Sequence, residues 1–151
     1  MSSKMLAAIR IRGRVGVRKE IADTLKMLRL HRKHHCVLLH PSPATKGMLQ
    51  KVKDYVTWGE IDEKVLKHLI KKRGRKTGNK RLSDEEAEKA LSALTSSSEH
   101  PARLLLNLGI KPVFRLSPPS KGFKKSIKQH YPKGELGYRG EAINELLERM
   151  I

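Results

Sequence analysis

The spacing of apolar residues switches repeatedly between strand and helix periods over the first sixty or so residues, and this restricts the possible folds strongly. Apolar residues alternate with arginines over residues 4–14, as in a β-strand, and then recur at helical spacing over residues 18–30. A short apolar run at 34–40 predicts a second strand. A second helix is expected at about 45–54, and β-branched and aromatic residues at 55–61 predict a third strand. The pattern therefore predicts a compact β-α-β-α-β unit with helices on one sheet face, and leaves the strand directions open.

The second part of the chain carries helical patterns separated by basic or polar joints. Helices are expected at 62–74, where Asp62 can serve as the N-cap, and at 83–94, where Ser83 and Glu86 form a capping box. A short helix is predicted at 101–108, between an early proline and a terminal glycine. The sequence "KPVFRL" then predicts a fourth strand or an extended edge, and "GEAINELLERMI" an amphipathic helix. We therefore expect a core at residues 1–61 and an extension at 62–151 packed on it.

The balance of charge points to a polyanionic partner. The 151 residues include 33 Lys and Arg against 15 Asp and Glu, a formal net charge of +18. Self-repulsion at this charge opposes compaction in isolation, and clustered cations of this kind are typical of nucleic-acid-binding proteins. No apolar run approaches the ~20 residues of a membrane span, so a cytoplasmic protein is expected. The single cysteine excludes an internal disulfide framework.

Two segments concentrate positive charge without neighbouring acids. The first, "RGRKTGNKR" at 73–81, lies in a stretch with no acidic residue between Glu63 and Asp84. The second, "SPPSKGFKKSIKQHYPKGELGYRG" at 117–140, carries five lysines before its first acid, Glu135. Isolated charge runs repel themselves and stay mobile, whereas a nucleic-acid backbone would neutralise them. We expect RNA to order the second segment, because its lysines and backbone polar groups would find partners there.

Metal, cofactor and catalytic sites are not predicted. His31, His34, His35 and Cys36 are of ligand type, but their spacing matches no closed metal site. Cys36 is instead expected to be a small buried apolar residue in the second strand. The glycines at 13–16 lack the dinucleotide-binding spacing, and the first basic segment lacks the Walker spacing.

Four short motifs follow one another at fixed spacing in the first half of the chain. They are the "IR" strand followed by glycine, "TLKMLRL" at 24–30, "P-x-x-K-G-M" at 43–48 and "KV" at 51–52. Together they resemble the universal large-subunit ribosomal protein family numbered thirty. "LIKKRGR", "GNKRLSDE", "KPVFRLSPPSKGFKKSIK" and the final "GELGYRGEAINELLERMI" are similar to its archaeal and eukaryotic branch. The long basic N-terminal extension of the eukaryotic proteins is missing, so the chain looks archaeal, and residues 91–109 match the family poorly.

The resemblance implies an α+β fold. Its β-α-β-α-β core would have a three-stranded antiparallel sheet related to the ferredoxin-like fold, with a C-terminal appendage of helices and extended loops. It also implies a cytoplasmic place in the large ribosomal subunit, with rRNA near the 5S rRNA region, 5S rRNA itself and neighbouring ribosomal proteins as candidate partners. Neither catalysis nor a cofactor, membrane contact or small-molecule substrate is implied.

The candidate rRNA-binding residues are the cations of the first strand and following loops, of the two basic segments, and of the strand and turn beside them. They are Arg10, Arg12, Arg14, Arg18, Arg32, Lys33, Lys46, Lys51, Lys71, Lys72, Arg73, Arg75, Lys76, Lys80, Arg81, Arg115, Lys121, Lys124, Lys125, Lys128, Lys133 and Arg139. Contacts to the phosphate backbone are expected to dominate, because aromatic residues make up 4% of the chain.

Two other function classes share part of this pattern. An architectural DNA-binding protein would have the same electrostatics, although no groove-reading unit is recognisable. A small RNA-modifying enzyme would need a cofactor pocket and a cluster of polar catalytic residues, and the sequence offers neither. Cosedimentation with the large subunit separates the three classes.

Overall fold

The computed structural model describes residues 5–13, 15–76, 78–96 and 100–151. The strands are β1 Leu6–Arg10, β2 His35–Leu39, β3 Val56–Glu60, β4 Arg75–Lys76, β5 Lys80–Arg81, β6 Val113–Arg115, β7 Ser126–His130 and β8 Gly134–Tyr138. The helices are α1 Lys19–Met27, α2 Pro43–Lys51, α3 Glu63–Arg73, α4 Asp84–Ser96, α5 Pro101–Asn107 and α6 Ile143–Met150, with a 3₁₀ turn at Gly140–Ala142. The predicted strand and helix order of the first sixty residues is therefore observed.

The main sheet has six strands in the order β6-β2-β1-β3-β8-β7. The three core strands and the predicted fourth strand, β6, belong to it, whereas the sequence did not predict β7 and β8. β1 is central and runs antiparallel to both β2 and β3. The second half of the chain adds β6 beside β2, in antiparallel pairing, and β8 beside β3, in parallel pairing. A small separate hairpin, β4-β5, completes the strands. This mixed α+β arrangement is compatible with a ferredoxin-like core whose sheet is widened on both sides.

Helices cover both faces of the complete sheet, while the two helices of the first sixty residues, α1 and α2, lie on one face as predicted. α1 and α2 pack on the face to which Leu6 and Ala8 of β1 point. The opposite face, to which Ala7 and Ile9 point, is covered by α3, α4, α5 and α6. All five residues of β1 are buried as a result.

The predicted helix ends agree with the observed caps at two positions. The Ser83 backbone N–H donates to Glu86 Oε1 at 3.1 Å and the Glu86 backbone N–H donates to Ser83 Oγ at 3.3 Å, which is the reciprocal capping box. Gly109, just past α5, has a φ of +77°, a conformation that suits glycine. Asp62 occupies the N-cap position of α3, but its side chain makes no capping hydrogen bond.

The 117–140 segment is more strongly held by protein than the sequence suggested. Its last part forms β8, of which the first four residues are buried. The Thr57 hydroxyl of β3 donates to the Gly137 carbonyl at 2.8 Å. The Ser117 and Ser120 backbone N–H groups donate to α6 carbonyls. The lysine-rich part between these anchors, including all of β7, is exposed. The expectation that the whole segment finds partners on RNA is therefore wrong for its two ends.

Gly59 makes a close backbone approach that positions the turn after β8. A methyl group at Gly59 would lie 1.9 Å from the Gly140 carbonyl oxygen and 3.0 Å from Ile143 Cβ. We expect Gly59→Ala to lower the free energy of unfolding by about 1–3 kcal/mol, since backbone must move to admit the methyl group. Urea denaturation followed by circular dichroism measures the change.

Gly47→Ala is the matched control for that substitution. Gly47 lies inside α2, and a methyl group there would meet nothing within 4 Å. Alanine should therefore raise the free energy of unfolding by about 0.4–1 kcal/mol, because it restricts the unfolded chain. Equal effects of the two substitutions would contradict the close approach at Gly59.

Candidate nucleic-acid interface

Loops from four strands meet at one end of the main sheet. The His34 backbone N–H donates to the Arg10 carbonyl at 2.7 Å, and the Leu116 N–H donates to the His34 carbonyl at 3.0 Å. The Arg12 guanidinium lies 5.2 Å from the centre of the Tyr55 ring, which ties the loop after β1 to the start of β3. We call this the basic end and define it by residues 11–13, 31–35, 54–55 and 115–116.

The basic end presents several exposed cations from separate parts of the chain. Arg32, Lys33 and Arg115 are exposed, and Arg115 pairs across the sheet with His35. Arg12 is half-buried, and its Nη1 donates to the Asp54 carbonyl at 3.5 Å. The antiparallel pairing brings these cations together, because the end of β1, the start of β2 and the end of β6 face the same way. An arginine fork of this kind can clamp phosphate oxygens in a defined orientation.

The pKa values of the two histidines at the start of β2 reflect their partial burial and the positive charge around them. Burial lowers the pKa of His35 below its usual value, and the Arg115, His31, Arg32 and Arg10 charges add to that effect. Burial and Lys33 likewise lower the pKa of His34, whose ring stacks on Phe123 at 6.1 Å. Both rings therefore favour the neutral form, as expected where positive charge accumulates.

His34 and His35, which the sequence offered as candidate metal ligands, lie on the surface of the basic end. They directly follow Arg32 and Lys33 in sequence, and His34 connects the start of β2 to the 117–140 segment through Phe123. The signal was available in "HRKHHC", since a cluster of cations directly before a buried strand lies at a sheet end. Because both side chains are only half-buried, they line the basic end and stay outside the sheet interior.

The lysines of the 117–140 segment are exposed but not all uncompensated. Lys124 Nζ lies 3.6 Å from Glu145 Oε1 of α6. Lys125 Nζ donates to the Pro132 carbonyl at 2.7 Å and lies 5.0 Å from the centre of the Tyr131 ring. For the remaining three, Lys121, Lys128 and Lys133, the side chains are exposed. The segment thus presents a cationic outer surface on a protein-anchored base.

The first basic segment continues this surface from α3 into the β4-β5 hairpin. Arg73 Nη2 donates to Ser117 Oγ at 2.6 Å, which joins the end of α3 to the start of the second basic segment. Arg75 caps the same helix end, with Nη1 donating to the Lys72 carbonyl at 3.0 Å. Lys76 pairs with Glu86 of α4 at 3.0 Å, while Lys80 and Arg81 are exposed. The hairpin therefore offers two exposed cations next to a neutralised one.

Arg10 and Arg139 are in the protein interior, unlike the other predicted contacts. Arg10 is 3% exposed, and its guanidinium donates to the carbonyls of Leu30, Arg12 and Gly13. Arg139 is 9% exposed and pairs with Glu135 at 3.2 Å. Both guanidinium groups stabilise loops from within, so we assign them a structural role and leave them out of the interface.

The remaining predicted residues lie away from the basic end or outside the described residues. Arg18, Lys46, Lys51, Lys71 and Lys72 are exposed on or beside the helices. Lys71 lies 3.6 Å from Glu88 of α4. Arg14 falls outside the described residues.

Cys36 and the other candidate metal ligands form no metal site in the part of the chain that the structure describes. Burial raises the pKa of the Cys36 thiol to about 12, so this side chain is a protonated core residue at neutral pH. Within residues 5–13, 15–76, 78–96 and 100–151, no group of three or more His, Cys, Asp or Glu side chains could hold a metal ion. In the same residues, no helix has the length and apolar character needed to span a bilayer.

Comparison with known proteins identifies the family. The family model for ribosomal protein L30p/L7e matches residues 6–56. Large ribosomal subunit protein uL30 of Methanosphaera stadtmanae is 49% identical over 152 residues, covering 97% of this chain and 100% of that protein. The uL30 proteins of Nanoarchaeum equitans and Archaeoglobus fulgidus are 50% and 49% identical, each covering 97% of this chain and 99% of its own length.

The family match confirms the resemblance inferred from the motifs, and the high coverage extends it to the second half of the chain. The relatives named above are archaeal, in agreement with the expected branch. On the strength of roughly half-identical relatives along nearly its full length, the chain belongs to the ribosomal protein L30p/L7e family.

Proposed function

We propose that this protein is a structural constituent of the large ribosomal subunit, in the cytoplasm, that binds and stabilises folded rRNA. Its relatives are ribosomal proteins of that subunit, a family not known for enzymatic activity. One observation carries the proposed binding mode. Exposed cations from the loop before β2, Arg32 and Lys33, and from the end of β6, Arg115, converge at the basic end. Neutralising phosphates there would release counterions and drive association.

The two halves of the chain contribute differently in this proposal. Residues 1–61, the proposed core domain, supply Arg12, Arg32 and Lys33 at the ends of rigid strands, where arginine forks hold a fixed geometry. Residues 62–151, the proposed extension, supply Arg115 at the basic end and, away from it, the β4-β5 hairpin and the lysines of the 117–140 segment. Lysine is a mobile point charge and suits contacts that follow the RNA backbone. The resulting recognition depends on shape and phosphate position.

Proteins and the 5S rRNA are further candidate partners. The first turn of α4 carries Asp84 and Glu85 on its exposed side, a local negative charge that would repel a phosphate backbone. This surface is therefore expected to face solvent or a neighbouring ribosomal protein. We further propose that the bound rRNA lies near the 5S rRNA region, as the motif resemblance implies.

Cosedimentation tests the proposal. A tagged chain expressed in an archaeal host should sediment with the large subunit in a sucrose gradient. Ultraviolet cross-linking of those particles should join residues of the basic end to the large rRNA or 5S rRNA. Failure to enter the large subunit would contradict the proposed role.

Competition separates rRNA binding from architectural DNA binding. The purified chain should prefer a folded large-subunit rRNA fragment over a DNA duplex of equal charge, measured at the same salt concentration. Equal affinity for the two would favour the architectural DNA-binding alternative.

A further inference from the structure

Two aromatic side chains lie next to each other on the outer part of the sheet. Trp58 of β3 and Tyr138 of β8 are partners in the strand register, and their ring centroids are 6.4 Å apart. Trp58 is 5% exposed, whereas Tyr138 is 52% exposed. An aromatic ring half open to solvent on a sheet face is the kind of platform on which nucleobases stack.

The exposed ring is held in a fixed orientation. The Tyr138 hydroxyl donates to the Glu60 carboxylate, at 2.6 Å to Oε1 and 2.8 Å to Oε2. This hydrogen bond raises the pKa of Tyr138 to about 12, so the phenol keeps its proton at neutral pH. The Glu60 carboxylate in turn has a hydrogen-bond partner within the protein. A pre-positioned ring loses less conformational entropy on binding than a mobile one.

An open groove runs beside this ring, between β8 and α2. Its volume is about 430 Å³, within the range of ~300–1,000 Å³ found for ligand clefts. Leu6 and Trp58 contribute apolar surface to it, and Lys46 and Gln50 of α2 contribute a cation and an amide. Lys46 and Gln50 are one helical turn apart, so they project from the same side of α2.

We propose that this groove holds one unpaired nucleotide of the bound rRNA, with its base stacked on Tyr138 and its phosphate beside Lys46. Gln50 would donate to, or accept from, the edge of the base. A nucleotide matches the groove because it combines a flat apolar face, polar edges and a negative charge. The inference rests on the proposed rRNA-binding function, but it concerns a different surface. The groove adjoins Pro41 and Glu60, which follow β2 and end β3, and so it lies at the sheet end opposite the basic end.

This site adds a mode of recognition that the phosphate contacts lack. Cations at the basic end act on the RNA backbone, whereas stacking acts on an extruded base and persists at high salt. An apolar protein side chain as occupant is less well matched, because the ammonium of Lys46 and the amide of Gln50 would lose water without gaining polar partners.

Trp58 provides a direct readout, since it is the single tryptophan of the chain and lies in the groove wall. Titration with the single-stranded tetranucleotide r(A)₄ in about 0.3 M salt, where Debye screening weakens backbone contacts, should quench its fluorescence saturably. Inorganic pyrophosphate at the same concentrations should not. Absence of quenching by r(A)₄, or equal quenching by pyrophosphate, would overturn the inference.

Variants of the platform sharpen the test. Tyr138→Ala should weaken r(A)₄ binding by roughly tenfold, whereas Tyr138→Phe, which keeps the ring, should bind within about twofold of the parent. Lys64→Ala, an exposed change on α3, is the matched surface control and should bind as the parent does. Equal affinities for Tyr138→Ala and Tyr138→Phe would remove the stacking role.

The outcomes separate this inference from the proposed function. Retention of a large-subunit rRNA fragment with unchanged Trp58 emission would leave rRNA binding intact and refute the nucleotide site. Quenching by a purified large-subunit protein, and not by r(A)₄ or rRNA, would also refute it, since the groove would then be a protein contact. Loss of rRNA retention together with saturable r(A)₄ quenching would contradict the proposed function alone.

Discussion

Charge reversal at the basic end, through Arg32→Glu, Lys33→Glu and Arg115→Glu together, is expected to weaken binding of a large-subunit rRNA fragment by on the order of 100-fold at about 0.15 M salt. The three side chains are exposed and come from two strand ends that the sheet brings together. Each lost phosphate contact should also reduce the slope of log affinity against log salt by about one. Filter binding over a salt series measures both quantities.

The control must separate a local interface from net charge. Lys64→Glu, Lys67→Glu and Lys89→Glu produce the same change in net charge on exposed positions of α3 and α4. Lys67 loses only a solvent-exposed contact with Glu88, at 3.7 Å, and such pairs contribute about 0–1 kcal/mol. The control variant should lose no more than a small part of the affinity. Matching losses in the two variants would show that rRNA senses total charge and that the basic end has no special role.

Strand β1 and helices α3 and α4 could be predicted because their signals are local. The signal of β1 is an alternation of residue types within a few positions. The signal of α3 is the helical spacing of Val65, Leu66, Leu69 and Ile70, all of which are buried. The caps of α4 depend on two residues three apart. Such patterns follow from the geometry of one strand or one helix and need no knowledge of distant partners.

The widening of the sheet could not be predicted in the same way. β8 pairs with β3 across about eighty residues, through contacts such as Thr57 to Gly137. Its sequence, "GELGY", has neither alternation nor a run of apolar residues. What buries it is the neighbouring strand and α6, and neither is visible in the local pattern.

The sequence could not show which charges are compensated either, because the partners are far apart along the chain. The lysines of the 117–140 segment have no acidic neighbours in sequence, but the fold brings Glu145 of α6 to Lys124. His130 similarly meets Asp54 at 2.8 Å. The charge of Lys124 is thus partly compensated within the protein itself. The sequence also does not show which arginines are exposed. Arg115 is exposed while Arg139 lies in the interior, and only tertiary contacts distinguish the two.

The largest expected change in stability concerns the buried ion pair between Glu135 and Arg139. Glu135→Ala is expected to lower the free energy of unfolding by about 3–5 kcal/mol, because it leaves an uncompensated charge in the interior. The Glu135 and Arg139 side chains are 4% and 6% exposed. Arg139 Nη2 donates to both the carboxylate and the backbone carbonyl of Glu135, and its Nε donates to Thr57 Oγ1 at 2.8 Å. Urea denaturation in moderate salt, which screens the excess positive charge, measures the effect.

Two further variants test whether the cost comes from the isolated charge. The double substitution Glu135→Leu with Arg139→Met removes both charges and keeps apolar volume, so it should recover most of the lost stability. Lys124→Ala breaks the exposed pair with Glu145, both of whose side chains are more than 60% exposed, and should cost less than about 1 kcal/mol. A double variant as unstable as Glu135→Ala would mean that packing or the Thr57 hydrogen bond, and not the charge, holds β8 against β3. Full recovery would instead show that the ion pair contributes little net stability, and that Arg139 matters chiefly because it must not be left alone.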